Sequence, residues 1–473
     1  MKFGGSCLVD NTAFNKILKI TELYNKTKKV FIASAFNGIT DLLLKAAQSI
    51  HNQQEVNETV AVIEKRHIDV IDQIFNEESI YYSNSKDWVD KNLSELEDVF
   101  EDIIEFGLEP YYKDYVLSFG EILSTYILNQ YLLSKNRDSV FISANKIIIT
   151  NDNFNNAYPL YDLTNARIKA NIIPLLENPK DTIFCITGFI GRNKIGYTTT
   201  LGRGGSDYTA TILARGIYDV GSDKDITVIL WKNVDGLLAI NPKYVAESSL
   251  IKNLNYNEAK EIANFGAKVI HPKCLEAIEK RKIPLEIRNF DKPLEEVNFT
   301  KISEQTDIEG IKGISAVELA TMITIISGSM VDIPGVLAKI FKIMAKNNIS
   351  VSLVAQSSSE ISTSFIVKGE EAQRALNALE DTNYFSEFFE IKNENVAVIN
   401  ITGTKILENI TKSRIFNALD KSNIRVKAIS QSFEELNISL VVDQNNLFEA
   451  INLIHDDLCE DFETLKCNDD NEK

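Results

Sequence analysis

Thr198-Thr-Thr-Leu-Gly-Arg-Gly-Gly-Ser-Asp-Tyr-Thr-Ala210 joins a β-branched run to a glycine-rich turn and a helix start, with Gly202, Gly204 and Gly205 inside four residues. Glycines let the backbone reach positive φ and approach a ligand closely. Ser206 and Asp207 have the chemistry of a helix N-terminus, and Tyr208–Ile217 reads as the helix that follows. Such a turn presents free N–H groups at the positive end of a helix dipole, which suits an anion. Arg203 adds a planar fork that matches a carboxylate or a phosphate. Asp207 has two readings, a helix cap or a charge partner within the site.

Five further segments carry similar chemistry. Met1-Lys-Phe-Gly-Gly-Ser-Cys7 sets Gly4, Gly5 and Ser6 beside the cation Lys2, a second phosphate cradle. Phe31–Asp41 is an apolar strand end that opens into a polar loop with Ser34 and Thr40. In Ser118-Phe-Gly-Glu-Ile-Leu-Ser-Thr125, Gly120 allows a tight turn and Glu121 is expected to open a helix. Trp231–Pro242 includes Lys232, Asn233 and Leu238 and is followed by Lys243; Phe265-Gly-Ala-Lys-Val-Ile-His-Pro272 includes Lys268.

At 473 residues, two to four domains are expected. The net charge of −17 argues against a nucleic-acid partner. No membrane span or signal peptide is indicated, so a cytoplasmic protein is expected. The five cysteines are scattered and never spaced Cys-x-x-Cys, which reads as reduced thiols. The four histidines lack metal-ligand spacing, so no protein-held metal is expected, and His271 before Pro272 reads as structural.

Residues 1–298 alternate apolar strands (Lys29–Ser34, Ile183–Gly188, Ile226–Trp231) with helices (Phe14–Tyr24, Glu258–Asn264), the pattern of an α/β sandwich around a mainly parallel sheet. Asn57–Glu109 reads as a helical insertion. The C-terminal third contains an internal repeat at a spacing of 75 residues: Ile340-Phe341 recurs as Ile415-Phe416, Asn348-Ile349 as Asn423-Ile424, and Gln356 as Gln431. A unit this small buries its face by stacking on its copy. The repeat looks like two α+β ACT domains (βαββαβ) at 321–392 and 393–467, preceded by a connector at 299–320. The second copy runs out of chain after Leu447–Leu458, so Ile311–Val317 is expected to cross over and complete it.

Together, in this order, the segments resemble the aspartate kinase (aspartokinase) family of the amino-acid kinase fold, with Leu-Gly-Arg-Gly-Gly-Ser-Asp and Gly-Ala-Lys-Val-Ile-His-Pro the most specific strings. The resemblance implies a three-layer amino-acid kinase domain at 1–298. It also implies transfer of the γ-phosphoryl group of ATP, carried with Mg²⁺, to the side-chain carboxylate of L-aspartate. It assigns catalysis to Lys2 and Asp207, and aspartate contacts to Ser34, Thr40, Glu121, Arg203 and Ser206. ATP contacts fall to Lys2, Gly4, Gly5, Ser6, Lys232, Asn233, Leu238, Lys243 and Lys268.

The chain departs from the family at Leu238, where a tyrosine is common, at Ile240-Asn241 in place of Thr-Asp, and at Lys243 in place of arginine. The strand that usually precedes Lys2 is missing as well. Another amino-acid kinase, or a non-catalytic amino-acid sensor, are the alternative readings, and the length argues against a fused dehydrogenase. The resemblance further implies a homo-oligomer, dimer or tetramer, through the ACT units. Its feedback effector is threonine, with lysine as runner-up, on Pro334, Gly335, Val336, Leu337, Gln356 and Glu360 of the first copy.

Overall fold

A computed structural model of the chain describes residues 1–246, 248–264, 269–294, 298–304, 310–326, 334–357, 359, 361–431 and 436–463. They divide into two compact units that interleave along the chain. The first comprises Met1–Leu237, Lys252–Tyr256 and Val269–Gln305, and the second Leu238–Ile251, Asn257–Lys268 and Thr306–Lys473. Two excursions of the chain, 238–251 and 257–268, group with the C-terminal unit.

The strands of the first unit are β1 (Lys2–Phe3), β2 (Lys29–Ala33), β3 (Ser139–Ile142), β4 (Ile149–Thr150), β5 (Ile183–Thr187), β6 (Ile190–Asn193), β7 (Thr198–Thr200), β8 (Val228–Lys232), β9 (Asn253–Asn255), β10 (Leu285–Asn289) and β11 (Phe299–Ser303). Eight of them form one sheet in the order β3-β5-β2-β1-β8-β10-β11-β9, and β4-β6-β7 form a smaller one. From β3 across to β10 the pairing is parallel. Strands of such a sheet are covered on both faces and become apolar throughout, as in β5, buried at every position.

Lys2 and Phe3 form the central strand, with Lys2 opposite Ile32 on one side and Leu230 on the other. Alternation along a strand sends these two side chains to opposite faces. Phe3 enters the aromatic core, edge-on to Phe31 at 5.0 Å. That core also takes in helices 11–23, 39–49, 53–74, 80–106 and 110–134. Lys2 turns to the face covered by the helix Gly205–Val220.

The turn expected at Gly120, with a helix opening at Glu121, is absent. Both residues lie in the middle of the helix Pro110–Ser134. Gly120 serves close packing instead: a Cβ there would lie 2.7 Å from the Cβ of Ala35 in the loop after β2.

The strands of the second unit are β12 (Ile311–Ile326), β13 (Leu353–Gln356), β14 (Ser362–Lys368), β15 (Glu390–Gly403), β16 (Ala428–Ser430) and β17 (Asn437–Asp443), in the sheet order β13-β14-β12-β15-β17-β16. The long antiparallel pair β12–β15 has register breaks between Ile311 and Gly313 and between Val317 and Ala320. Ahead of the second break, β12 pairs with 398–403, the first strand of the second repeat. Beyond it, β12 is the first strand of the first repeat and pairs with 390–396. Ile340, Met344, Phe365 and Phe385 centre one apolar cluster of this unit. No helix among the described residues is long and apolar enough to cross a membrane.

Gly120→Ala should destabilise the protein even though alanine is the better helix former by about 1 kcal/mol. The rigid Ala35 Cβ cannot withdraw as a flexible side-chain tip would, and crowding of this kind costs about 1–3 kcal/mol. Thermal melts should show a lower Tm for the variant, and a raised Tm would contradict the packing account.

Candidate active site

Four parallel strands end side by side, in the order β5, β2, β1, β8. The chain passes from β1 to β2 on one flank and returns to β8 on the other, so the winding reverses at β1. Ligands of open α/β sheets bind outside the carboxyl ends of strands at such a point. The residues that follow the four strand ends are Gly188, Ser34, Gly4-Gly5-Ser6 and Asn233.

Asp207 lies at the centre of this edge. Its Oδ1 is 2.9 Å from Lys2 Nζ and its Oδ2 is 2.7 Å from Lys232 Nζ. Burial alone would push the Asp207 carboxyl up, yet the two ammoniums outweigh it and hold the group below the usual carboxylate range. Burial likewise pulls Lys2 down, and Asp207 reverses the shift so that the ammonium is held charged. Lys232 Nζ also donates to the carbonyl of Val269. Asp207 is therefore a charge partner; the helix N-cap is Gly204, at φ 71°, with no side-chain cap.

Glycine fits the surrounding turns for steric reasons. A Cβ on Gly5 would lie 2.6 Å from the carbonyl oxygen of Ala35, whereas one on Gly4 would sit 3.6 Å from Lys2 Nζ. Gly188 lets Ser206 close in, its missing Cβ falling 2.6 Å from that of Ser206. Gly204 abuts His271, which accepts from the Lys273 N–H at 3.2 Å and caps the helix Pro272–Glu279.

Glu121 is buried, and its Oε2 has no hydrogen-bond partner among the described residues. Burial raises its carboxyl to about 8, with bonds from the Ala35 backbone and Ser206 and the charge of Lys2 pulling in the opposite direction. Ser34 is half-buried, its carbonyl accepting from Ser124 Oγ at 2.8 Å. Thr40 lies in the first turn of the helix Ile39–Ser49, behind Gly38 at φ 79°. Arg203 is exposed on the Gly202–Gly205 turn and pairs with no carboxylate among the described residues.

The first unit thus brings together Lys2, Gly4, Gly5, Ser6, Ser34, Glu121, Ser206, Asp207 and Lys232, with Arg203 and Asn233 on adjoining turns. Leu238 and Lys243 belong to the second unit, where Lys243 is engaged by Glu318 at 2.5 Å. Lys268 and Glu360 lie outside the described residues. Among the described residues no group of three or more His, Cys, Asp or Glu side chains is placed to hold a metal ion. One buried carboxylate went unread in the sequence. Asp114 accepts from the Thr200 N–H at 2.7 Å, the Thr200 hydroxyl at 2.9 Å and the Asn155 N–H at 2.9 Å.

Residues 1–289 match the amino acid kinase family, and residues 323–382 and 399–458 each match the ACT domain. The chain belongs to the amino acid kinase family. Aspartokinases are among the proteins it is similar to. The lysine-sensitive aspartokinase 3 of Escherichia coli is 27% identical, over 97% of this chain and 98% of its own. The bifunctional aspartokinase/homoserine dehydrogenase of Buchnera aphidicola is 30% identical over 97% of this chain, which spans only 56% of that protein. The crystal structure of E. coli aspartokinase III with aspartate and ADP superposes with a TM-score of 0.79 at 25% identity, covering 97% of this chain and 98% of that one.

The Glu121 carboxyl sets a pH dependence of stability. Its folded value of about 8 lies above the ordinary 4.5, so between them the native state binds more protons than the unfolded chain. Stability therefore falls as pH rises through that window. Glu121→Gln removes the slope, and in ligand-free melts it should gain on the parent by a few kcal/mol between pH 5 and pH 8.5. Parallel pH profiles for the two proteins would contradict this.

Proposed function

We propose that this chain is an ATP-dependent aspartate kinase. It transfers the γ-phosphoryl group to the side-chain carboxylate of L-aspartate to give 4-phospho-L-aspartate and ADP, the first step toward lysine, threonine and methionine. The observation that carries the reading is the triad Lys2–Asp207–Lys232 at the strand ends, two ammoniums on one buried carboxylate. Its surplus positive charge suits a triphosphate, and phosphoryl transfer is chiefly positioning and charge neutralisation. Lys2 faces the transferring oxygens, Lys232 and Asn233 the rest of the nucleotide, and Gly4, Gly5 and Ser6 offer backbone N–H groups to the phosphates. Asp207 holds both lysines in place. Mg²⁺ arrives with ATP, since Asp207 is already occupied by two cations.

On the acceptor side, Arg203 grips a carboxylate of aspartate and Ser34, Thr40 and Ser206 add hydroxyl contacts. Glu121 receives the α-ammonium on its unpartnered Oε2, the contact that separates an amino acid from a plain dicarboxylate. The aspartate and ADP bound by the E. coli structure support this choice of ligands. The nucleotide grip proposed here rests on the first unit alone and makes no use of Leu238, Lys243 or Lys268.

Regulation by an end-product amino acid completes the proposal, with threonine as effector, lysine as runner-up, and ACT units pairing between chains in a dimer or tetramer. The lysine sensitivity of the E. coli relative supports end-product control. The first copy has a left-handed Gly335, φ 94°, capping the helix Val336–Lys346, with Pro334, Val336 and Leu337 around it and Gln356 at the end of β13. The matching helix of the second copy starts behind the extended Glu408 and offers no such turn. An effector inhibits only by preferring the conformation that holds the kinase site poorly.

Arg203→Ala should lower kcat/KM for aspartate by on the order of 2–4 kcal/mol of transition-state stabilisation, with the fold intact. A coupled ATP/ADP assay with aspartate reads this directly, and near-normal kcat/KM would remove Arg203 from the site. In the same assay with threonine or lysine added, Gly335→Asp should abolish inhibition while activity stays, and the matching change at Ile410 should not. Equal effects of the two would move the effector off the first copy.

A further inference from the structure

Asp114 is fully buried, and no ammonium or guanidinium is paired with it among the described residues. Burial raises its carboxyl, and hydrogen bonds from three donors are the main offset. Two of the donors belong to Thr200, the last residue of β7, two positions before Gly202 and three before Arg203. The third is the backbone N–H of Asn155, a residue itself at φ 65°. The loop that follows presses on the same turn: a Cβ on Gly202 would lie 2.7 Å from Asn156 Oδ1, and Lys273 Nζ donates to that oxygen at 2.5 Å. The Ala157 N–H returns to the Thr200 carbonyl at 2.9 Å.

Asp114 and Glu121 sit on one helix, Pro110–Ser134, seven residues and so about two turns apart, on the same face. A single rigid element therefore holds the carboxylate offered to the substrate ammonium and, two turns away, the carboxylate that clamps the strand delivering Arg203. The Asn155 N–H reaches both Asp114 oxygens, at 3.0 and 2.9 Å, and a backbone N–H can only donate, so an amide NH2 in place of either oxygen would meet a donor. We infer that Asp114 is a positioning residue: it fixes the spacing between Arg203 and Glu121, and thereby the length of dicarboxylic amino acid the site accepts. The inference rests on the roles given above to Arg203 and Glu121.

The test compares the full-length parent with Asp114→Asn and with Thr200→Val, which removes one of the three donors while keeping a β-branched strand residue. Initial rates are measured against aspartate, against glutamate as the acceptor one methylene longer, and against ATP. Both variants should raise KM for aspartate, Asp114→Asn by about tenfold or more, and leave KM for ATP within about twofold. The preference for aspartate over glutamate should fall by a similar factor. An unchanged KM for aspartate, equal rises in both KM values, or an unchanged preference in a folded variant would each overturn the positioning role. If Asp114→Asn does not fold, Thr200→Val decides alone. The parent is assayed first: failure to phosphorylate aspartate would sink the kinase assignment, whereas normal parent turnover with unmoved variants sinks this inference only.

Discussion

The structure around the strand ends depends on one carboxylate shared by two ammoniums. At an effective dielectric of about 20, a pair at 4 Å is worth on the order of 4 kcal/mol, while each buried ion loses several kcal/mol of hydration. At Asp207 and at Lys2 the attraction outweighs the burial that opposes it, and the strands and helix that carry Lys2, Asp207 and Lys232 fix the geometry in which it does so. What remains is a half-enclosed site one negative charge short of neutrality. A polyphosphate supplies that charge, and for this reason the triad is the strongest argument for its ligand.

The elements that impose this arrangement are short and crowded. β1 is only two residues long, yet alternation sends its side chains to different places, Phe3 into the aromatic core and Lys2 to Asp207. The Gly5 turn fits under the Ala35 carbonyl, and Gly120 brings the Glu121 helix against Ala35 from another side. Ala35 is thus gripped between a loop and a helix, which fixes where the buried Glu121 carboxyl stands. Its burial beside an unpartnered oxygen is a standing cost of the ligand-free state.

Much of this was legible in the sequence because it is local. Alternating strands and helices, glycine turns beside cations and a repeat at fixed spacing each occupy a short window, and the folded chain has them. The failures are all long-range. Nothing near Gly120 announces the approach of Ala35, so glycine before a glutamate read as a turn and a helix start. Asp207 reads as a partner of Lys2 beside the alternative of a helix cap, whereas its second ion pair, with Lys232, comes from a distant strand. Asp114 went unread, because its donors come from residues 155 and 200. The interleaving of 238–251 and 257–268 with the C-terminal unit is likewise a matter of tertiary contact.

The shared pair β12–β15 has a consequence for how the C-terminal unit is made. Its outermost ladder contact joins Ile311 to Gly403, about ninety residues apart, so loop closure over that span precedes completion of the second repeat. On a ribosome, residues 311–317 emerge well before their partner and stay an unpaired edge until it is synthesised. Because both long strands run through both repeats, neither repeat is a module that can be cut out or lost alone. The pair is one cooperative folding unit, and a break in either strand would be felt as the loss of both.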